Sequence, residues 1–228
     1  MKKFVAFFVS LTIAMLFASS ALAIPQHMKR INEATSLLNK MAIEEDAGSL
    51  ANVIASGKAV AIFPSVSKAG FIVGGQYGDG VVFVKDGKGG WKGPAFMTIA
   101  GGSFGLQIGV ESVGLVLVIT NQKGLLAFTG GQSFKLGTDI EIAAGPVGRS
   151  ASASTDTRFK AAIYSYSIAQ GAFAGVGIDG SVINQNRDAS KNYWGKALEA
   201  KDALSRPAKD KRVSDLVKAL NNLQKKAK

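Results

Sequence analysis

The sequence predicts an α+β fold with a β-rich core, two helical segments before it and a helix after it. Between residues 59 and 183, eight or nine short apolar runs alternate with glycine-rich turns, a pattern typical of strands. Outside this region, apolar residues recur at the three- or four-residue spacing of a helix. No regular helix follows each strand, so we expect an antiparallel sheet, closed or folded over on itself, and not a parallel doubly wound sheet.

The core begins in the stretch formed by residues 57–80. Residues 59–63 form a continuous apolar run that predicts a strand buried on both faces, and Pro64 ends it because proline cannot donate to a ladder. A second strand is expected to start at residues 71–73. Glycines then follow closely, and glycine within a strand marks a bulge, a bend or a close approach by another backbone or a ligand; they are Gly74, Gly75, Gly78 and Gly80.

Apolar stripes at helical spacing identify the flanking helices. The first stripe begins at Ile31, a shorter helix is expected over residues 46–55, and the last stripe runs from Val213 to Leu223. Either long stripe could pack on the sheet or contact a membrane. We therefore expect a domain over residues 24–195 and a basic, partly helical C-terminal extension over residues 196–228.

Residues 1–23 have the pattern of a cleaved signal peptide. Lys2 and Lys3 precede an apolar segment that is shorter than a membrane-spanning helix, and the stretch ends on Ala21-Leu22-Ala23. The chain contains no cysteine, so neither acylation at a lipobox nor a disulfide framework is expected. These features predict an exported, periplasmic protein, either free or peripheral to a membrane.

The positive net charge of the protein limits the classes of binding partner that we expect. The formal net charge is +11, and residues 196–228 carry ten Lys or Arg against four Asp or Glu. An exported basic protein meets anionic phospholipid head groups more often than nucleic acid, and this attraction acts over about 8–10 Å. We expect a membrane surface as partner and no nucleic acid.

Residues for catalysis are scarce. His27 is the only histidine, and its position near the start of the expected mature chain favours a surface role. Asp139 and Glu141 alternate with apolar residues, which indicates a solvated sheet face more than an acid-base pair. No His/Cys cluster or Gly-Lys-Ser/Thr phosphate loop is present. The sequence predicts no enzyme, no catalytic residue, no metal site and no cofactor.

Six pieces of the sequence carry a resemblance to a known family; they lie, in this order, at residues 57–78, 90–96, 101–109, 144–149, 164–167 and 171–176. Together they resemble the SYLF-domain family of lipid-binding proteins, over roughly residues 24–195. The resemblance implies a non-enzymatic domain that binds anionic phospholipid, with phosphoinositides as ligands in eukaryotic members. After Ser165-Tyr166-Ser167, where many relatives carry basic residues, this chain has Ile168-Ala169-Gln170, which weakens a phosphoinositide preference.

Three cations inside the matching pieces are candidates for head-group binding, because lysine and arginine beside glycine-rich turns can hold a phosphate. They are Lys58, Lys68 and Arg149. Solvated surface cations remain the alternative for each. Membrane contact is expected from cations of the N-terminal helix and of the tail: Lys29, Arg30, Lys211, Arg212 and Lys218. The alternative function is an envelope scaffold that binds a protein or an anionic polymer through the basic tail.

Overall fold

A computed structural model describes residues 24–146, 160–169, 172–174 and 178–227, without the side chains of residues 70–73, 103–110 and 172–174. The expected signal peptide therefore lies outside the described residues. The helices are α1 (Gln26–Met41), α2 (Ala47–Ser56), α3 (Gln122–Thr129), α4 (Arg187–Trp194), α5 (Ala200–Ala203), a 3-10 helix (Lys211–Val213) and α6 (Ser214–Gln224). The strands are β1 (Ala59–Lys85), β2 (Trp91–Ile119), β3 (Phe134–Lys135), β4 (Ile142–Ala144), β5 (Ile163–Ala169), β6 (Ala172–Ala174) and β7 (Val182–Gln185).

The predicted fold class is confirmed: the strands form one curled sheet, with helices at both ends of the chain. Six of the apolar runs in the sequence belong to only two strands, β1 and β2, which pair from Ala59 opposite Ile119 to Lys85 opposite Trp91. Their glycines bend the strands without ending them. Among the described strands, every other pairing is antiparallel except that of β4 with β5.

β1 doubles back, so that its first half lies beside its second half. The Lys85 backbone N–H donates to the Lys58 carbonyl at 2.9 Å. Farther along, a Cβ added to Gly78 would lie 2.8 Å from the Ser65 carbonyl oxygen, and one added to Gly80 would lie 2.6 Å from that of Ile62. Only glycine lets the two backbones approach this closely.

Both faces of the sheet are covered, which explains why the strands are apolar at nearly every position. Along β1, Ile62 and Phe83 point to the helical face, whereas Phe63 and Val82 point to the opposite face. On that opposite face, α3 and the segment around α5 complete the core through Phe128 and other buried apolar residues, which include Leu136, Ile140, Leu198, Ala203 and Leu204.

α1 and α6 bury their apolar stripes in the same cluster, so both long stripes belong to the core. The buried residues are Ile31, Ala34, Leu37, Leu38 and Met41 of α1, and Leu216, Ala219, Leu220 and Leu223 of α6. The core thus includes residues on both sides of position 195. Within the described part of the chain, no helix has the length and apolar character needed to cross a membrane.

The close approach within β1 predicts that Gly80→Ala destabilises the protein by about 1–3 kcal/mol, because the new Cβ would meet the Ile62 carbonyl and the Phe63 ring at 2.6 and 2.5 Å. Gly75→Ala is the matched control on the same strand, since its nearest neighbour would lie 3.9 Å away. Urea denaturation measures both free energies of unfolding. Equal stability of the two variants would contradict the proposed contact.

Candidate functional site

The structure separates the residues predicted to bind a head group. Lys58 is exposed at the start of β1, whereas Lys68 is half-buried in the middle of that strand, opposite Glu111. Burial lowers the pKa of Lys68, and the Glu111 carboxylate offsets part of this effect. Arg149 lies outside the described residues. Lys58 and Lys68 therefore do not form a common site. Neither ammonium group has an ion pair among the described residues.

The sequence predicted that Arg30 contacts a membrane, but in the structure the Arg30 side chain is buried. Its side chain is 8% exposed, and its Nη2 donates to the Asp79 carboxylate at 2.7 Å. Asn186 Nδ2 donates to the other carboxylate oxygen of Asp79 at 3.0 Å. A buried guanidinium needs such a partner because desolvation of a charge is costly. Arg30 therefore joins α1 to β1 and to the start of α4.

Lys29, by contrast, is exposed and lines an open groove of about 180 Å³ between α1 and β1. Lys29 Nζ lies 3.8 Å from the Glu33 carboxylate, and Tyr77, whose side chain is largely exposed, forms part of the opposite wall. The groove presents hydroxyl groups and charges of both signs, so it has no excess of positive charge for an anion. Its remaining lining residues are Gln26, Arg30, Pro64, Ser65, Ser67, Gly78 and Asp79.

The three cations of the tail that were predicted to contact a membrane differ in whether they already form an ion pair. Arg212 donates from Nη2 to the Asp210 carboxylate at 2.6 Å and from Nη1 to the Tyr193 carbonyl at 2.9 Å. Lys218 forms an exposed ion pair with Asp215 at 3.0 Å. Lys211 is exposed and has no ion pair with any described residue. Of these three cations, only Lys211 is available to a ligand without breaking an internal contact.

His27 is buried, contrary to the expected surface position, with 8% of the residue exposed. Its ring meets the edge of Tyr193 with centroids 6.0 Å apart, and the Arg212 guanidinium lies 3.9 Å from the centre of the Tyr193 ring. Burial lowers the pKa of His27, and the Arg212 and Arg30 charges lower it further. Burial also raises the pKa of Tyr193 to about 12, so its hydroxyl stays neutral. The cluster links the start of α1 to α4 and the 3-10 helix.

The described part of the chain offers no group of three or more His, Asp or Glu side chains that could hold a metal ion. His27 has cationic neighbours and an aromatic contact, but no carboxylate partner that would orient it as a general base.

Two basic residues that lie near Lys58 were not predicted from the sequence as binding residues. Lys88 and Lys92 flank the turn between β1 and β2, and the bond from Lys85 to the Lys58 carbonyl brings this turn beside Lys58. These lysines are separated from Lys58 by about thirty positions, and only the doubling back of β1 makes them neighbours. No sequence motif records such a contact.

Comparison with known proteins gives a consistent result. A family model described as "Ysc84: Las17-binding protein actin regulator" matches residues 100–223. The human "SH3 domain-containing YSC84-like protein 1" is 33% identical over 180 residues, which are 77% of this chain and 52% of the relative. "Protein YSC84" of Saccharomyces cerevisiae is 34% identical over 155 residues, 67% of this chain and 33% of the relative. The chain thus spans about half or less of the length of these curated relatives.

Because the pKa of His27 is lower in the folded protein than its ordinary value of 6.5, the unfolded chain takes up the proton first as the pH falls. This contribution to stability is complete above about pH 6.5 and is lost below it, until the folded pKa is reached. We expect the loss of unfolding free energy between pH 7.5 and 5.5 to be smaller in His27→Gln than in the unmodified protein. Urea denaturation at both pH values measures it, and an identical loss in the two proteins would refute the assignment.

Proposed function

Because this chain belongs to the Ysc84 family, the family of the SYLF domain, we propose that it is a non-enzymatic module that binds surfaces of anionic phospholipid. Family membership confirms the resemblance found in the sequence. The ligand is inferred from the chain's own charges and from the lipid binding that the resemblance implies.

The observation that carries the proposal is an unbalanced set of free cations. In the described part of the chain, several carboxylates are already engaged: Asp79 accepts from Arg30, and Asp210 accepts from Arg212. Lys58, Lys68 and Lys211 have no ion pair there. The ammonium groups of Lys58 and Lys211 are exposed, so they can attract an anionic lipid surface without a loss of internal contacts, whereas that of Lys68 is half-buried.

A second candidate function is the binding of a protein or anionic polymer through the basic tail. One relative, "LAS seventeen-binding protein 3" of Saccharomyces cerevisiae, is 34% identical over 156 residues, 68% of this chain and 34% of its own length, and its name states a protein partner. The exposed Lys211 next to Arg212 gives the tail a cationic surface for such a partner. This candidate requires no affinity for lipid vesicles.

The proposal includes export. Residues 1–23 combine two lysines, an apolar core and a small-x-small ending, and this pattern supports cleavage after Ala23 and a periplasmic location, free or at a membrane. A bacterial envelope would then supply phosphatidylglycerol and cardiolipin as the anionic lipids.

Vesicle flotation tests the lipid proposal. The protein lacking residues 1–23 is expected to float with vesicles that contain phosphatidylglycerol and not with purely zwitterionic vesicles, because the attraction is electrostatic. Raising the salt concentration from 50 to 500 mM should release it, since the Debye length shortens severalfold. Absence of flotation at 50 mM salt on both kinds of vesicle would reject lipid binding and leave the protein or polymer partner.

Export has a separate test. Expression of the whole chain in a Gram-negative bacterium should yield a periplasmic protein whose intact mass corresponds to a chain that begins at Ile24. Replacement of Ala21 and Ala23 by bulky residues should block this cleavage, as small residues are needed at the processing site. A full-length cytoplasmic product would contradict the expected signal peptide.

A further inference from the structure

Several strands of the sheet end side by side at one edge of the molecule. Ile163 pairs with Ile119, and Ile119 pairs with Ala59. The next two positions across the sheet are Lys85, which is bonded to the Lys58 carbonyl, and Trp91, which is opposite Lys85. Neighbouring strands lie about 4.8 Å apart, so these five ends span roughly 19 Å.

The C-terminal segment extends this row. Lys92 forms a bridge with Pro207, the Gly93 N–H donates to the Arg206 carbonyl at 2.9 Å, and the Ala208 N–H donates to the Trp91 carbonyl at 2.9 Å. These bonds fix residues 206–208 beside β2, as a sixth position across the sheet. The row then measures roughly 24 Å.

Cations follow or precede every one of these ends. Ten lysines and arginines lie within four residues of the row. Lys85 donates to the Ile54 and Ala55 carbonyls, Arg212 is paired with Asp210, and Lys211 belongs to the 3-10 helix. The other seven form no ion pair with a described residue, six of them being exposed and Lys92 half-exposed. We name them the basic edge: Lys58, Lys88, Lys92, Lys123, Lys160, Arg206 and Lys209.

Carboxylates at the basic edge are few. The Asp86 carboxylate already accepts the backbone N–H groups of Lys88 at 2.7 Å and Gly90 at 2.8 Å. These two bonds hold the pKa of Asp86 below its ordinary value, and nearby Lys92 contributes less. Glu141, whose carbonyl accepts from Ile163, is a second carboxylate near the row. Asp202 and Asp210 lie within four residues of 206–208, and Asp210 is paired with Arg212. Four carboxylates, one of them already engaged by Arg212, cannot neutralise seven cations.

We infer that the basic edge is the surface on which this protein lies against an anionic bilayer, an inference that rests on the proposed function. Cations that flank strands ending at the same edge of one sheet can approach one anionic surface together, along a row about 24 Å long. The strand ends themselves are largely buried, but the cations that flank them are exposed and need no rearrangement to meet such a surface. The expected ligand is a phospholipid surface of high negative charge, and a soluble polyanion is the competing outcome of the test.

The tail offers a weaker surface than the basic edge. Arg212 and Lys218 each have a carboxylate partner, whereas no member of the basic edge has one in the described structure. The apolar face of α6 is buried against α1 and α2, so it is not free to enter a bilayer. Apart from Arg206 and Lys209, which belong to the basic edge, membrane attraction through the tail would therefore depend on exposed lysines such as Lys211, Lys225 and Lys226.

Two variants with the same net charge separate these surfaces. The edge variant carries Lys58→Gln, Lys88→Gln and Lys92→Gln. The control variant carries Lys40→Gln, Lys135→Gln and Lys191→Gln, three exposed lysines on α1, β3 and α4. Flotation is measured at 50 mM salt on vesicles with and without phosphatidylglycerol, and circular dichroism and thermal unfolding establish that both variants fold.

We expect the edge variant to bind vesicles at least about tenfold more weakly than the unmodified protein, since each cation near an anionic surface contributes about a fivefold change. The control variant should remain within about twofold. If the unmodified protein floats and both variants weaken equally, binding follows net charge and the basic edge is refuted; an unweakened edge variant refutes it too. If the unmodified protein does not float but is retained on immobilised polyphosphate through these lysines, the bilayer is the wrong ligand and the proposed function fails with it.

Discussion

The doubling back of β1 is the constraint on which the rest of the structure depends. It requires two backbones to pass within a distance that Gly78 and Gly80 allow and that a Cβ at either position would prevent. Through it, the first and last thirds of one strand become neighbours, and β2 then carries partners on both of its ends, β5 at one and β7 at the other. The sheet order and the basic edge both follow from this contact.

The Arg30–Asp79 ion pair adds a charged link between the helical layer and the sheet to their shared apolar cluster. Removal of the Asp79 carboxylate would leave the Arg30 guanidinium charged and buried, and such losses cost about 3–5 kcal/mol in comparable pairs. Asn186 completes the carboxylate's bonds while its own Oδ1 caps α4, so one amide serves two elements. The position of α1 thereby depends on the second half of β1. Arg30, which the helical pattern predicted to lie on the surface, therefore stabilises the fold.

Helices and fold class could be predicted because they depend on local periodicity: the stripes from Ile31 and from Val213 are buried as amphipathic faces should be. The lengths of β1 and β2 could not, since glycines such as Gly74 and Gly75 interrupt the apolar pattern whether a strand ends or bends there. The candidate site was predicted only in part. Lys58 was predicted from the sequence, but its neighbours Lys88 and Lys92 were not, because a contact between distant positions brings them together. The burial of Arg30 was not predicted either, because its partner Asp79 lies on β1 and no sequence spacing indicates that contact.

The burial of the apolar faces of α1 and α6 limits the kinds of membrane contact that the protein can make. Peripheral proteins often insert an apolar helical face into the interface, but here the faces of α1 and α6 are consumed by the core. What the described surface retains is charge without an adjacent apolar face, because the basic edge consists of hydrated side chains at strand ends. Such a contact senses the density of negative charge more than the shape of one head group, since no fixed set of donors surrounds a single phosphate. Under the proposed function, this chain would therefore recognise a membrane by its charge more than a lipid by its identity.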